Sequence, residues 1–211
     1  VSNYYNMVKL ALLEKGVPFE EVPFFAAQTP EALTVSPCAK VPALEVEQGF
    51  INETNVILEY IEQTQPGPKL LPTDPFERAQ VLALAKEIEL YIELPARACY
   101  AEAFFGMQVP DAIKSKAKAE LLQGIASLGR QGKFAPYVAG ETLSVADIYF
   151  LYSVSLASAV GHKVFGMDLL AELPAAKALL EHFEKNPHVQ RIAADREAAM
   201  PKFLAWISSK K

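Results

Sequence analysis

A proline-rich segment between residues 65 and 75 sets the strongest limit on how this chain can fold. It reads QPGPKLLPTDP and holds four prolines and one glycine in eleven residues. Proline has no N–H to donate and its ring fixes the backbone, so such a segment is excluded from a helix interior and from a central strand. We therefore predict a linker over residues 65–75 between a domain of residues 1–64 and a domain of residues 76–211.

The residues before this linker mix helical and extended patterns. Apolar residues on one face predict a first helix that ends at Gly16, because glycine readily takes the left-handed conformation that follows a helix. The other predicted elements are a weak helix at 30–35, an amphipathic helix at 52–63, and strands at 19–22, 43–46 and 50–51. This half of the chain is therefore predicted to be a small α/β domain.

After the linker every pattern is helical. Residues 76–105 form one long amphipathic pattern that we expect to bend at Pro95, because proline interrupts the hydrogen bonds of a helix. Residues 144–160 are apolar almost all round, which predicts a buried central helix. The remaining predicted helices are 111–129, 174–185 and 198–208. The second domain is therefore predicted to be all-helical.

Charge, cysteine content and histidine spacing exclude several functional classes. The formal net charge is −5, so we predict no nucleic-acid partner. No apolar stretch reaches about 18 residues, so no membrane-spanning segment is predicted. The two cysteines, Cys38 and Cys99, do not make a disulfide framework, which favours a reducing, cytoplasmic location. The histidines lack the spacing of metal ligands, so we predict no metal.

The segment Lys40-Val41-Pro42-Ala43-Leu44 is the first local signal with chemical content. Pro42 opens a predicted strand, and the bond before it can be trans or cis. In the cis form the N–H and C=O of Val41 would turn toward an extended peptide, which they could bind as an added strand. An ordinary trans strand start is the alternative, and the segment alone leaves both open.

The segment Asn52-Glu53-Thr54-Asn55 is the second signal, because it opens a predicted helix. The first N–H groups of a helix and the positive end of its dipole attract anions. Simple capping by Asn52 or Thr54 is the alternative, and the two interpretations are compatible.

The segment Ser2-Asn3-Tyr4-Tyr5-Asn6 crowds hydroxyl and amide groups just before the first predicted helix. Ser2 is either an ordinary N-cap or a hydroxyl directed at a ligand from the helix N-terminus. Further along, Ser144 and Asp147 have the spacing of a capping box at the start of the central helix. We interpret this second pair as structural.

Together these segments resemble the cytosolic glutathione transferase family, in the family's order and spacing, and the resemblance covers essentially the whole chain. The matching segments are Ser2 to Gly16, Ser36 to Leu44, Glu53 to Ile61, the proline linker, and Leu143 to Asp147. They look most like the serine-type members, such as the theta, zeta, phi and many bacterial forms. The resemblance implies an N-terminal thioredoxin-like domain that holds glutathione, followed by the family's all-helical domain.

The resemblance also implies roles for single residues in glutathione binding. Val41, before a cis Pro42, would bond the cysteinyl backbone of glutathione. Glu53 and Thr54 would hold the γ-glutamyl end, with its carboxylate near the helix N-terminus. Lys40 could pair with the glycyl carboxylate.

Ser2 corresponds to the family's thiol-activating serine. A hydrogen bond from its hydroxyl would favour the thiolate, which is the nucleophile. Asn3, Tyr4 and Tyr5 follow directly, so one of their polar groups could be the thiol donor instead. Because the family has a strand before this serine, we expect about 6–10 native residues ahead of Val1.

The resemblance finally implies a transferase that attacks a small apolar electrophile and pairs with a second copy of itself. Arg97 and Tyr100, on the long helix of the second domain, are candidates for the electrophile pocket. A glutathione-binding protein without turnover and a glutathione-dependent isomerase or dehalogenase are the alternatives, because fold alone does not decide function.

Overall fold

The structure is a computed structural model that describes residues 2–24 and 27–208. The expectation about residues ahead of Val1 lies outside the described residues, as do the last three residues of the predicted second domain. The chain divides into two compact units, one of residues up to Lys69 together with those from Lys185 onward, the other of Leu70–Glu184. The predicted domain boundaries at residues 64 and 76 stay predictions.

The first unit combines a small hairpin with helices. Its elements are α1 (Asn3–Glu14), α2 (Pro30–Val35), β1 (Ala43–Val46), β2 (Gly49–Asn52), α3 (Thr54–Thr64) and α10 (Pro187–Ser208). The predicted hairpin is confirmed, since β1 and β2 pair antiparallel with Ala43 opposite Asn52 and Val46 opposite Gly49. The helix predicted to end at Gly16 is also confirmed, because α1 stops at Glu14 and Gly16 has a φ of +66°.

The strand predicted at 19–22 is wrong. This stretch is irregular, and the Val22 side chain is 70% exposed. A strand needs a neighbour to complete its backbone hydrogen bonds, and the sheet that the described residues form contains β1 and β2 alone. Within the described part of the chain, the predicted strand therefore has no partner with which to pair.

A buried ion pair joins the C-terminal ends of α1 and α3. The ammonium of Lys15, which caps α1, lies 2.9 Å from a carboxylate oxygen of Glu62 on α3, and both side chains are at most 3% exposed. Lys15 also donates to the carbonyl of Pro68 at 3.0 Å. Because breaking such a pair leaves an uncompensated buried charge, the pair specifies which helix ends meet. It also fastens the start of the linker to the first unit.

The C-terminal helix α10 is held against α1 by polar contacts. Lys9 on α1 is almost fully buried, and its ammonium lies 2.7 Å from Asp195 of α10 and 2.6 Å from Glu21. Asn186, just before α10, donates to Glu14 at 2.7 Å. These bonds explain why the last helix groups with the first unit rather than with the other helices, which the sequence patterns did not indicate.

The second unit is all-helical in its described residues. Its elements are α4 (Pro75–Ile88), a π-helical turn (Glu89–Glu93), α5 (Leu94–Arg97), α6 (Tyr100–Phe105), α7 (Asp111–Gln131), α8 (Val145–Phe165) and α9 (Pro174–Glu184). The buried helix predicted at 144–160 corresponds to α8, most of whose first half is buried. Near Pro95, where a bend was expected, the structure has a π-helical turn that ends at Glu93, and Pro95 lies in the first turn of α5.

The N-terminus of α8 is a buried hydrogen-bonded cluster. Ser144 and Asp147 form a capping box, in which Asp147 accepts the Ser144 N–H at 2.9 Å. The same carboxylate accepts the N–H of Val138 at 2.7 Å. Burial raises the pKa of Asp147 to about 6, against the lowering effect of these bonds. The N–H of Val145 donates to the carbonyl of Leu70 at 2.9 Å, which ties this helix start to the middle of the predicted linker.

The π-helical turn depends on a proline and a glycine. Pro95 has no N–H to donate to the carbonyl of Tyr91, four residues earlier, so an α-helix cannot continue through this point. That carbonyl points at Gly124 of α7, where an added Cβ would lie 2.2 Å from the oxygen. The absence of a side chain at Gly124 therefore allows α7 to approach the π-helical turn closely.

Gly67 offers a test of how firmly the linker is held. Its φ is +102°, and an added Cβ would lie 2.2 Å from the Lys15 carbonyl oxygen. Gly49 has a φ of +134° and open space around it, so it is a matched control. We expect Gly49→Ala to cost about 1–3 kcal/mol of unfolding free energy from backbone strain alone. Gly67→Ala should cost about 1–3 kcal/mol more through the clash, measured by urea unfolding. Equal losses in the two variants would contradict this account of the linker.

Candidate glutathione site

The N-terminal ends of α1 and α3 lie at the same end of the first unit. The two helices share an apolar core and their C-terminal ends meet at Lys15 and Glu62, so they run side by side in one direction. Ser2 precedes Lys15 by 13 residues, and Thr54 precedes Glu62 by 8. With the helical rise of roughly 1.5 Å per residue, these starts lie about 20 Å and about 12 Å from the ion pair. The positive ends of both helix dipoles therefore face the same region.

The register of the hairpin adds the segment before β1 to this region. Ala43 opens β1 and lies opposite Asn52, which closes β2. Val41-Pro42 directly precedes Ala43, and Glu53-Thr54 directly follows Asn52, so both predicted dipeptides lie at one end of the hairpin. The bond between Val41 and Pro42 is cis.

Lys40 lies on a loop that is fastened at two points. The backbone N–H of Lys40 donates to the hydroxyl of the buried Ser36 at 2.9 Å. The side-chain amide of Asn52 donates to the carbonyl of Val35 at 3.1 Å, which ties the loop to β2. The Lys40 side chain is exposed, and no carboxylate of the described residues pairs with it. Its charge is thus available to an anionic ligand.

Glu53 stands at the start of α3 in an unusual backbone conformation. Its φ is +67°, which residues other than glycine adopt rarely and at a cost of about 1–3 kcal/mol. The side chain is exposed and caps no N–H of α3, and within the described residues it has no hydrogen-bond or ionic partner. Thr54 beside it is buried. A carboxylate next to the positive end of a helix suits a ligand that carries both an ammonium and a carboxylate.

Ser2 caps α1 through its hydroxyl oxygen, and its hydroxyl proton remains able to donate a hydrogen bond. Its hydroxyl oxygen accepts the N–H of Tyr5 at 3.5 Å, which is the N-cap role expected of a serine at this position. A hydroxyl can accept and donate at once, and no acceptor for the Ser2 proton is found in the described chain. The capping and ligand-directed interpretations of Ser2 are therefore compatible.

The alternative thiol donors differ in burial and in their known hydrogen bonds. Tyr5 donates its hydroxyl proton to Glu21, and burial followed by the bond to Glu21 raises the pKa of Tyr5 well above its usual range. Its proton is therefore committed within the protein. Asn3 is buried in the first turn of α1 and Tyr4 is half-buried.

Arg97 and Tyr100 belong to the second unit, where both bind one buried carboxylate that the sequence analysis missed. Glu93 is completely buried and accepts Nε and Nη2 of Arg97 at 3.1 and 2.6 Å and the hydroxyl of Tyr100 at 2.9 Å. The spacing of four residues between Glu93 and Arg97 was the available signal, because such pairs face each other on a helix.

The described residues form neither a cluster of metal ligands nor a membrane-spanning helix. Within residues 2–24 and 27–208, no three histidine, cysteine, aspartate or glutamate side chains are grouped as metal ligands would be. None of the helices described has the length and apolar character needed to cross a membrane.

Comparison with known proteins gives a consistent picture. The sequence model of the glutathione S-transferase N-terminal domain matches residues 1–69, and that of the C-terminal domain matches residues 108–196. A glutathione S-transferase of Pseudomonas putida is 65% identical over all 211 residues and 96% of its own length. Maleylacetoacetate isomerase of Rattus norvegicus is 28% identical over 84% of each chain.

Among solved structures, the maleylacetoacetate isomerase of Methylobacterium extorquens AM1, with bound malonate and GSH, superposes with a TM-score of 0.70. The identity is 25%, and the match covers 90% of this chain and 92% of the other. The predicted fold class is confirmed by these matches and by the helices and hairpin described above. This chain, with a thioredoxin-like N-terminal part and a helical C-terminal part, belongs to the glutathione S-transferase family.

Proposed function

We propose that the protein is a glutathione transferase in which Ser2 activates the thiol of bound glutathione. The observation that carries this proposal is the Ser2 hydroxyl, which caps α1 through its oxygen and keeps its proton for a ligand. The 65% identity to a protein named glutathione S-transferase supports both glutathione binding and transferase activity.

The charges at the end of the hairpin suit the three ends of glutathione. The main chain of Val41 binds the cysteinyl backbone as an added strand would. The carboxylate of Glu53 receives the γ-glutamyl ammonium, while the γ-glutamyl carboxylate lies at Thr54 and the positive end of α3. Lys40 pairs with the glycyl carboxylate. Each ionic group of the ligand thus has an opposite charge or a helix end as its partner.

Thiol activation needs only a modest free-energy difference. A free thiol has a pKa of about 8.5, so little thiolate is present near neutral pH. Lowering that pKa by two units takes about 2.7 kcal/mol. One hydrogen bond to a charged group supplies about 1.5–3 kcal/mol, and the dipole of α1 adds to it. The thiolate then attacks an electrophile bound by the helical domain, where Arg97 and Tyr100 are the candidate contacts.

Isomerisation that depends on glutathione is a second candidate. Two relatives, at 28% and 25% identity, are named maleylacetoacetate isomerase. In such a reaction the thiolate adds to a conjugated double bond and later leaves it, so the same Ser2 chemistry serves both activities.

Replacing Ser2 with alanine tests the thiol donor. We expect the pKa of the bound glutathione thiol to rise by about 1–2 units, because one hydrogen bond to the thiolate is lost. At about pH 6.5 the turnover should fall roughly 5- to 50-fold, in proportion to the thiolate fraction. Thiolate absorbance of the complex and steady-state kinetics with a chloronitrobenzene electrophile measure the two effects.

Tyr5→Phe is the matched control, because that hydroxyl already donates to Glu21. It should leave the thiol pKa in the complex unchanged. Ser2→Ala also removes the N-cap at a cost of about 1 kcal/mol. A loss of stability with no change in the thiol pKa would mean that Ser2 is only a cap.

We further propose that the protein pairs with a second copy of itself through a groove on the second unit. The groove encloses about 960 Å³ between the π-helical turn with α5 and the facing side of α7. Its large apolar side chains are 42–52% exposed, namely Leu90, Tyr91, Leu94 and Ile113. Lys116 and Glu120 line the same groove as an exposed ion pair at 3.7 Å, and a two-fold partner can bring a second opposite charge to each of them.

Light scattering of two α7 variants tests this pairing. Ile113→Asp should yield monomers, because it places a charge in an interface that must cover about 800 Å² of each partner. Leu122→Asp is the control, since Leu122 is equally exposed on α7 but does not line the groove. It should stay dimeric. A monomeric parent protein, or dimers with Ile113→Asp, would contradict the proposed interface.

A further inference from the structure

Two cations and two aromatic rings form a continuous row on the second unit, which we name the cation–aromatic ladder. Its members are Arg97, Tyr100, Phe104 and Lys163. The guanidinium of Arg97 lies 5.2 Å from the centre of the Tyr100 ring. Tyr100 and Phe104 meet edge to face at 5.2 Å, and the ammonium of Lys163 lies 4.9 Å from the centre of the Phe104 ring. These distances are typical of favourable cation–π and aromatic pairs.

The two ends of the ladder differ in charge. Arg97 is neutralised by the completely buried Glu93, which also accepts the hydroxyl of Tyr100 and so fixes the position of that ring. Lys163 is exposed, and no carboxylate of the described residues lies within ion-pair distance of it. Glu102, the acidic residue of α6, is already bound to Lys114 at 3.4 Å. The ladder therefore carries one uncompensated positive charge, at Lys163.

The contact of Lys163 with α6 uses only part of the hydrogen-bonding capacity of its ammonium group. Its ammonium donates to the carbonyl of Ala103 at 3.3 Å, a long bond that occupies one of three N–H groups. Gly106, in the left-handed conformation, already ends α6. Two N–H donors of Lys163 thus remain, beside rings that are only half-buried.

We infer that the ladder binds a small organic carboxylate, with the carboxylate on Lys163 and its apolar body against Phe104 and Tyr100. A cation beside partly exposed aromatic rings favours a ligand that is anionic at one end and apolar at the other. Within the proposed transferase, on which this second step rests, the ladder selects electrophiles that carry such a carboxylate.

A matched pair of electrophiles, a chlorodinitrobenzoate and its methyl ester, tests this selection. In both, the glutathione thiolate forms a C–S bond to the ring carbon, the C–Cl bond breaks and chloride leaves. The ester lacks the negative charge, adds a methyl group and activates the ring more strongly, so KM and the ratio of variant to wild type are compared rather than the rates of the two compounds. We expect the wild type to have a lower KM for the acid than for the ester. Lys163→Met should raise KM for the acid about fivefold and leave the ester unchanged, because one ion pair is lost. Lys163→Arg should keep the preference.

Lys118→Met is the control, because Lys118 is another exposed lysine without an acidic partner in the described chain and gives the same change in net charge. It should affect neither substrate. Equal shifts of acid and ester in Lys163→Met would mean that Lys163 only supports α6, and would overturn the inference.

Direct binding separates this inference from the proposed function. Equilibrium dialysis of the full chain with naphthoate and with methyl naphthoate requires no turnover. The wild type should bind naphthoate more tightly than the ester, and Lys163→Met should lose that difference. Equal binding of the two by the wild type overturns the ladder site, whether or not the protein is a transferase. Selective naphthoate binding without turnover of either electrophile would keep the site and reject the transferase.

Discussion

The buried ion pair between Lys15 and Glu62 is the interaction on which the geometry of the proposed glutathione site depends. A buried pair of this kind adds little net stability compared with apolar residues, but an incorrect pairing would leave an unpaired charge in the core. The pair therefore determines the relative orientation of α1 and α3, because it requires their C-terminal ends to meet. Their N-termini must then face one region together, and the hairpin register adds Val41 and Pro42 to it. The same lysine holds the linker through Pro68.

In the second unit, two buried carboxylates, those of Glu93 and Asp147, accept hydrogen bonds from polar groups inside the helical core. Asp147 does so at the start of α8 by accepting the N–H groups of Ser144 and Val138. Glu93 does so at the π-helical turn, where Pro95 interrupts the ordinary hydrogen-bond pattern. Both carboxylates are buried where the backbone leaves the α-helical pattern, and Glu93 holds Arg97 and Tyr100, two members of the cation–aromatic ladder.

Features fixed by neighbours in the chain were predictable from the sequence. The proline linker, the hairpin after Pro42 and the Ser144–Asp147 capping box each follow from local backbone chemistry. Features that depend on distant residues were not. The segment at 19–22 has a strand pattern, but no strand of the described residues lies beside it. The hydrogen bond from Tyr5 to Glu21 depends on how the chain returns past α1. The positive φ of Glu53 is likewise set by the geometry between β2 and α3.

A crystal structure of the protein with glutathione bound tests the central claim most directly, which is that the starts of α1 and α3 and the end of the hairpin form one site. We predict that the glutathione sulfur lies within about 3.5 Å of the Ser2 hydroxyl oxygen. The Val41 backbone should bond the cysteinyl unit, and the γ-glutamyl carboxylate should lie at the N-terminus of α3. A sulfur bonded to Asn3 or Tyr4, or a peptide bound away from Val41 and Thr54, would contradict the account.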